Sequence, residues 1–170
     1  MPNESDISSL KKLAVDRLNW SRGLAKALFA GVPDDKLTAM AGGKGNHPMW
    51  VVGHIAVSED GIVSAFTGEK PLLSDRMHAL FKGGTEPTGN AADYPTRAEV
   101  EAASEEARKK VLAWVESFDE RTIHQPAPKG LEGFAPDAIS TALTLAMHEA
   151  FHGGQVASVR SALSLPRVFR

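Results

Sequence analysis

Residues 147–155 read MHEAFHGGQ, and His148-Glu149-Ala150-Phe151-His152 within them fits H-E-x-x-H, the pattern carried by the zinc helix of many metalloproteases. Such an enzyme needs a third metal ligand beyond the motif. One common form would place glycine at position 155 and histidine at 158, where this chain has Gln155 and Ser158. The other supplies a glutamate downstream, but no Glu, Asp or His follows His152 before Arg170. Proteases of this type also lay their peptide along a sheet edge, and no alternating strand pattern of convincing length is present. The protease reading fails, and any third ligand must come from upstream.

The same stretch decides the fold. At 100° per residue, Leu145, His148, His152, Val156, Val159 and Leu163 fall within about 80° of one another. They form the core-facing stripe of a long helix, expected over about 136–164, opening at Pro136 and closing before Pro166. Three more segments share this periodicity. Ile7, Leu10, Leu13, Ala14, Leu24 and Leu28 mark a helix within 5–30. Pro48, after a His47 or Asn46 cap, opens one that runs to Gly68. Thr96 and Glu99 form a capping box for a helix over 96–118 that buries Val100, Ala103, Ala107, Val111, Trp114 and Phe118.

Gly- and Pro-rich loops separate these segments at 31–35, 41–45, 82–90 and 125–133, and a short helix is expected near 74–81. The expectation is an all-α four-helix bundle, one domain spanning 1–170. Its 68–96 connection is long enough to cross the bundle, so a simple up-down-up-down path is not assured.

On the second helix the periodicity groups Trp50, Val51, His54, Ser58, Gly61 and Ala65, which turns His54 inward. A single inward histidine is ordinarily a core residue bonded to a carbonyl or carboxylate. Three inward histidines favour a shared metal ion, because each buried ring needs partners for both nitrogens and an unpaired polar group costs roughly 1–3 kcal/mol. Rings one helical turn apart stand about 5–6 Å from each other, which suits bonds of about 2.0–2.1 Å to one cation. His54 should then lie within about 8 Å of the pair on the last helix. His47, His78 and His124 read as loop or cap residues.

Hydrophobic residues make up 42% of the chain and charged residues 24%, with net charge −2 and pI about 6.3. This profile argues against a nucleic-acid partner. No apolar run approaches the roughly 18 residues of a membrane span, and the polar start MPNESDISSLKK lacks a signal-peptide core, so the expected address is the cytoplasm. The absence of cysteine removes disulfides, thiolate ligands and a cysteine nucleophile. Any thiol chemistry needs an outside thiol.

Asn46-His47-Pro48-Met49-Trp50-Val51-Val52-Gly53-His54, followed much later by His148-Glu149-Ala150-Phe151-His152-Gly153-Gly154-Gln155 and by the ending Val156 to Pro166, resembles the DinB-like superfamily. There the last stretch typically reads H-x-x-x-H-x-G-Q, then a hydrophobic helix and L-G-x-P. Ser164 departs from that pattern at the glycine of the terminal turn. The resemblance implies a four-helix bundle, often a homodimer, with a three-histidine metal site formed by His54, His148 and His152. Gln155 matches the family's glutamine and is given a polar supporting role.

Zinc is the first metal expected, and nickel, iron or manganese also suit imidazole. Some relatives use small thiols such as bacillithiol or mycothiol. The leading expectation is therefore a metal-dependent enzyme transferring a low-molecular-weight thiol to a small-molecule electrophile. The alternatives are a metal-dependent hydrolase and a non-catalytic, stress-related protein that binds a metal or ligand. Glu149 lies about 60–100° around the helix from the two histidines. Three roles are open to it: general base on a metal-bound water, hydrogen bond to an imidazole, or surface salt bridge. Trp50 could wall the pocket or belong to the core. Arg160 could bind an anionic substrate group at the mouth or sit on the surface. The run Glu101–Lys110 reads as a solvated helix face.

Overall fold

The computed structural model describes residues 4–168. Its long helices are α1 (Glu4–Ala30), α2 (Pro48–Thr67), α4 (Arg97–Glu116) and α5 (Ala138–Ala162), with a short α3 (Asp75–Phe81) in the connection between α2 and α4. Among the described residues there is no β-strand, only one isolated bridge between Pro126 and Asp137. No described helix is long and apolar enough to cross a membrane.

The ends of the helices follow local chemistry. At the start of α2, the His47 ring accepts the Trp50 amide hydrogen (3.0 Å) and Pro48 holds the first helical position, where a missing N–H costs nothing. Gly68 closes α2 with φ of 75°, a left-handed conformation that glycine adopts without steric cost. Thr96 and Glu99 make the expected capping box of α4. The last helix departs slightly from expectation: it begins after Asp137, whose carboxylate caps the Ser140 amide at 3.0 Å. Pro136 lies just outside it. Ser164, at the turn where the resemblance has glycine, takes φ of 55°.

Cross-links between helices define the topology. Ser21 bonds Glu149, and the Leu28 carbonyl accepts from Arg160, so α1 and α5 run parallel. Glu59 pairs with Arg108, Asp60 with Lys110 and Phe66 with Trp114, so α2 and α4 are also parallel. Lys11 with Glu116 and Lys26 with Glu105 set α1 against α4 in opposite directions. The chain therefore runs up, down, down, up, and the 68–96 connection crosses the bundle to start α4 beside the start of α2. Asp60 anchors this crossover: its buried carboxylate accepts from the Leu72 and Leu73 amides (2.9 Å each), His78 (3.1 Å) and Lys110 (2.7 Å). Burial opposes its charge, but these donors outweigh that and hold the carboxyl below its usual pKa.

The crossover explains a difference from the expected faces. Alpha-helix α2 is buried almost all round, including Val51, Gly53, Ile55, Ala56, Val57 and Ile62, because α3 and the crossover cover the side that four helices alone would leave open. Ala65, expected inward, is exposed. On α1, Leu13 is 46% exposed, while Leu18 and Ser21 take the core positions.

Two apolar clusters fill the interior. One holds Ile7, Ala14, Leu18, Phe66, Trp114 and Leu145; the other holds Leu28, Phe29, Trp50, Ile55, Phe81 and Val156. Between them lies a charged layer. Glu59 pairs with Arg22 (2.9 Å) and Arg108, while Glu149 pairs with Arg22 (3.0 Å) and Arg108 (2.7 Å) and accepts from Ser21 (2.5 Å). Arg108 thus turns inward from a run expected to face solvent. Burial pushes the Glu59 carboxyl above its usual pKa, against the pull of both guanidiniums. Buried charges of this kind persist only when fully matched, and here two positive groups face two negative ones.

Candidate metal centre

His54 comes from α2, and His148 and His152 from adjacent turns of α5. Their ring centroids are 5.2 Å apart for His54–His148, 4.8 Å for His54–His152 and 4.5 Å for His148–His152. One ligand-capable nitrogen from each ring lies within 4.8 Å of the other two, and Nε2 of His148 is 3.1 Å from Nε2 of His152. Two ligands that far apart on bonds of about 2.0–2.1 Å subtend about 100°, an angle available to common metal geometries.

The outer partners set the tautomers. His54 Nδ1 faces the Phe81 carbonyl at 2.8 Å, and His152 Nδ1 faces the Gln155 side-chain oxygen at 2.9 Å. Both partners are acceptors, so both Nδ1 atoms carry their hydrogen, and in each neutral ring Nε2 keeps its lone pair. An imidazole that donates from one nitrogen and ligates through the other is the usual arrangement at protein metal sites. Burial, opposed by the Phe81 carbonyl and aided by His152, lowers the pKa of His54. Burial also lowers that of His152 against its bond to Gln155. Burial, with His152 and His54, takes His148 down to about 4. The three rings are held in the form that binds cations. On donor chemistry and spacing, the site fits a divalent metal.

Local packing places these groups. Phe81 reaches His54 because α3 docks against Gly53, where a Cβ would meet the Phe81 ring at 2.5 Å. Trp50, one turn before His54, stacks on its ring (4.5 Å, 9° between planes) and donates from Nε1 to the Thr85 hydroxyl at 2.9 Å. It therefore walls the site and belongs to the core at once. Asn46 donates to the Gln155 oxygen at 3.1 Å, steadying the group that holds His152. Phe134 lies edge-on to His148 at 5.8 Å, and exposed Phe151 to His152 at 5.4 Å.

Two expectations are corrected. Glu149 is fully buried and committed to Ser21, Arg22 and Arg108 in the charged layer. It makes neither a surface salt bridge nor, among the described residues, a hydrogen bond to an imidazole, and a general base would need a free carboxylate facing the site. Arg160 is buried too, donating to the carbonyls of Leu28 (3.0 Å) and Pro166 (2.7 Å). It ties the end of α5 to the end of α1 instead of projecting at a pocket mouth. Of the other histidines, His47 is the α2 cap, His78 lies in α3 against Asp60, and His124 pairs with Asp137 at 2.8 Å. Sequence reasoning did not find Phe81 and Thr85, and it took Asn46 as a possible helix cap and part of the family-like motif without its bond to Gln155; these residues support the rings from loop or short-helix positions.

The sequence profile of the DinB superfamily matches residues 17–156, a span that contains all three histidines. Among solved structures, a conserved protein from Enterococcus faecalis superposes with a TM-score of 0.71 at 15% identity, covering 90% of this chain and 96% of that one. At that identity the likeness concerns the fold alone. No curated protein matches the chain.

Proposed function

The chain belongs to the DinB superfamily, and on that premise we propose that it is a metal-dependent enzyme transferring a low-molecular-weight thiol to a small electrophile. The observation carrying this reading is the convergence of three imidazoles, two of them with Nε2 left free by an Nδ1 hydrogen bond, with no fourth candidate ligand in the group among the described residues. Three protein ligands with a position left for an exchangeable one is the pattern of catalytic sites. A divalent cation there, zinc first and nickel, iron or manganese next, supplies a positive charge that favours the ionised form of a thiol or water.

The chain's own residues do the rest. The Phe81 carbonyl and Gln155 fix the ring orientations of His54 and His152, and Trp50 covers one face of His54. Because the chain contains no cysteine, the sulfur nucleophile is a diffusible molecule. In the transfer, a sulfur–carbon bond forms, the bond to the leaving group breaks, and that group departs with the electron pair while the thiol proton is released. The hydrolase alternative with Glu149 as base draws no support from a carboxylate already held by two arginines and a serine.

Elemental analysis of untagged protein beside His148→Ala is the first test, with about one metal per chain expected in the wild type and loss in the variant. Metal-loaded protein is then given bacillithiol, mycothiol or glutathione with a chromogenic electrophile. If no thiol supports turnover above a His54→Ala control, the transferase reading is wrong and the metal-binding, non-catalytic reading takes its place.

A further inference from the structure

The outer face of α5 carries no charge. Its 25 residues include Glu149 and Arg160 as the only charged ones, and both are buried. Toward solvent the helix turns Met147 and Phe151, each 70% exposed, with Gly154 and Ser158 on the following turns. Residues spaced three, four and seven apart share one side of a helix. The adjoining side of α1 continues this surface: Ser21 bonds Glu149 across the two helices, and Trp20 and Leu13 are 60% and 46% exposed. On α4, by contrast, the solvent side carries Glu101, Glu106 and Lys109.

The area is that of an interface. An aromatic side chain presents about 150–250 Å², so Trp20, Phe151, Met147 and Leu13 together leave roughly 500 Å² open. The largest apolar patch on a typical monomer is about 300–600 Å² and is often functional. A standard interface takes about 800 Å² from each partner, and the small uncharged residues around the four side chains extend the patch toward that size.

Shape indicates what covers it. Phe151 projects from α5, while α1 holds a shallow hollow lined by Asn19, Trp20, Gly23 and Leu24. Outside its own helix, a Cβ added at Gly23 or at Gly154 would meet nothing within 4 Å, so both glycines leave a notch open to solvent. Phe151 and Gly154 stand about 4.5 Å apart along the helix axis. A two-fold axis between them sets each ring over the other copy's notch, and a surface holding both halves of a fit is what a symmetric pair needs.

We propose that the α1–α5 face joins two copies of this chain in a two-fold dimer, each Phe151 ring seated against Trp20, Gly23 and Gly154 of the other copy. Phe151 lies edge-on to His152 at 5.4 Å, so the pairing also shields that side of the metal centre.

Sedimentation of the untagged full chain between about 1 and 100 μM tests this, a range that covers the weak end for interfaces of standard size. The 18.2 kDa chain is expected at twice its mass. Phe151→Glu and Trp20→Glu each place an unpaired charge in the interface and should weaken it at least about 100-fold, leaving monomer. Leu72→Glu, at a residue 60% exposed in the crossover, removes an equally open apolar side chain elsewhere and should leave the dimer intact. All three positions are exposed, so far-UV circular dichroism should show unchanged helix content. No variant removes an imidazole and the readout is mass, so the result stands apart from the metal reading. A wild type that stays monomeric, a dimer that survives Phe151→Glu or Trp20→Glu, one that is lost in Leu72→Glu, or growth beyond two copies overturns the proposal.

Discussion

Gly53→Ala isolates the contact on which the geometry of His54 depends. In the middle of an exposed helix, replacing glycine by alanine stabilises by about 0.8–1.0 kcal/mol. At Gly61, also in α2, the nearest atom to a new Cβ is His78 Cε1 at 3.9 Å, an ordinary contact, so Gly61→Ala should realise most of that gain. At Gly53 the new Cβ meets three atoms of the Phe81 ring at 2.5–2.6 Å. Phe81 is fully buried and has no free direction in which to turn, so the overlap has to move α3. Overpacking of this kind costs about 1–3 kcal/mol. The helix gain offsets part of it, leaving Gly53→Ala from nearly neutral to about 2 kcal/mol destabilised.

The two variants should therefore differ by about 1–3 kcal/mol, the cost of the clash itself. Urea unfolding of both, with equal m-values as the check on two-state behaviour, measures that difference directly. Moving α3 also withdraws the Phe81 carbonyl from His54 Nδ1, and loss of such an outer partner typically weakens metal affinity about 10–100-fold. Competition with a chromophoric chelator should show that loss in Gly53→Ala and not in Gly61→Ala. Equal stabilisation by the two substitutions would refute the claim that α3 is seated on Gly53.

Gln155→Leu removes the acceptor that orients His152 and should lower metal affinity about 10–100-fold with the fold intact; affinity unchanged by chelator competition would show the glutamine to be incidental. Arg108→Met leaves Glu59 and Glu149 with half their neutralising charge, and denaturant unfolding should report a loss of about 3–5 kcal/mol, whereas a loss below 1 kcal/mol would mean the charged layer is not matched as described. Burial lowers the His47 pKa from 6.5 to about 4, against the smaller raising influence of the Thr88 and His47 backbone, so the unfolded chain takes up a proton there before the folded one does. The stability His47 contributes is then complete above pH 6.5 and lost as pH falls toward 4, on the order of 3 kcal/mol in all; His47→Asn, which keeps a capping oxygen, should flatten that part of the unfolding profile, and an unaltered profile would discount His47 as its source.

Helix positions were readable because their signals are local. Pro48, the Gly68 turn and the Thr96–Glu99 box act within a few residues of themselves. The two imidazoles of α5 and the one of α2 were readable because each lies on its own helix's buried stripe. Pairings between distant segments left no such mark. Arg108 sits among Glu105, Glu106, Lys109 and Lys110 and looks like them until Glu59 and Glu149 are brought opposite it. The same holds for Glu149, whose place beside two histidines suggested chemistry, while its side chain points to the guanidiniums of Arg22 and Arg108 and the Ser21 hydroxyl on other helices. Arg160 and the burial of α2 on every side likewise depend on neighbours that only the folded chain supplies. The connection over 68–96 could be read as long enough to cross, but its purchase on Asp60 could not be read at all.

The up, down, down, up path has a consequence for how the molecule is made. His54 leaves the ribosome well before its two companions, which lie on α5, the third α-helix after α2 among the described residues. No nascent chain that stops short of α5 can bring the three rings together, so the site comes into being only when α5 settles against α1 and α2. A cation that then grips both ends closes a loop of roughly a hundred residues, the kind of cross-link that removes about 4–5 kcal/mol of freedom from an unfolded chain. Metal loading would act as a late fastening of the newborn bundle.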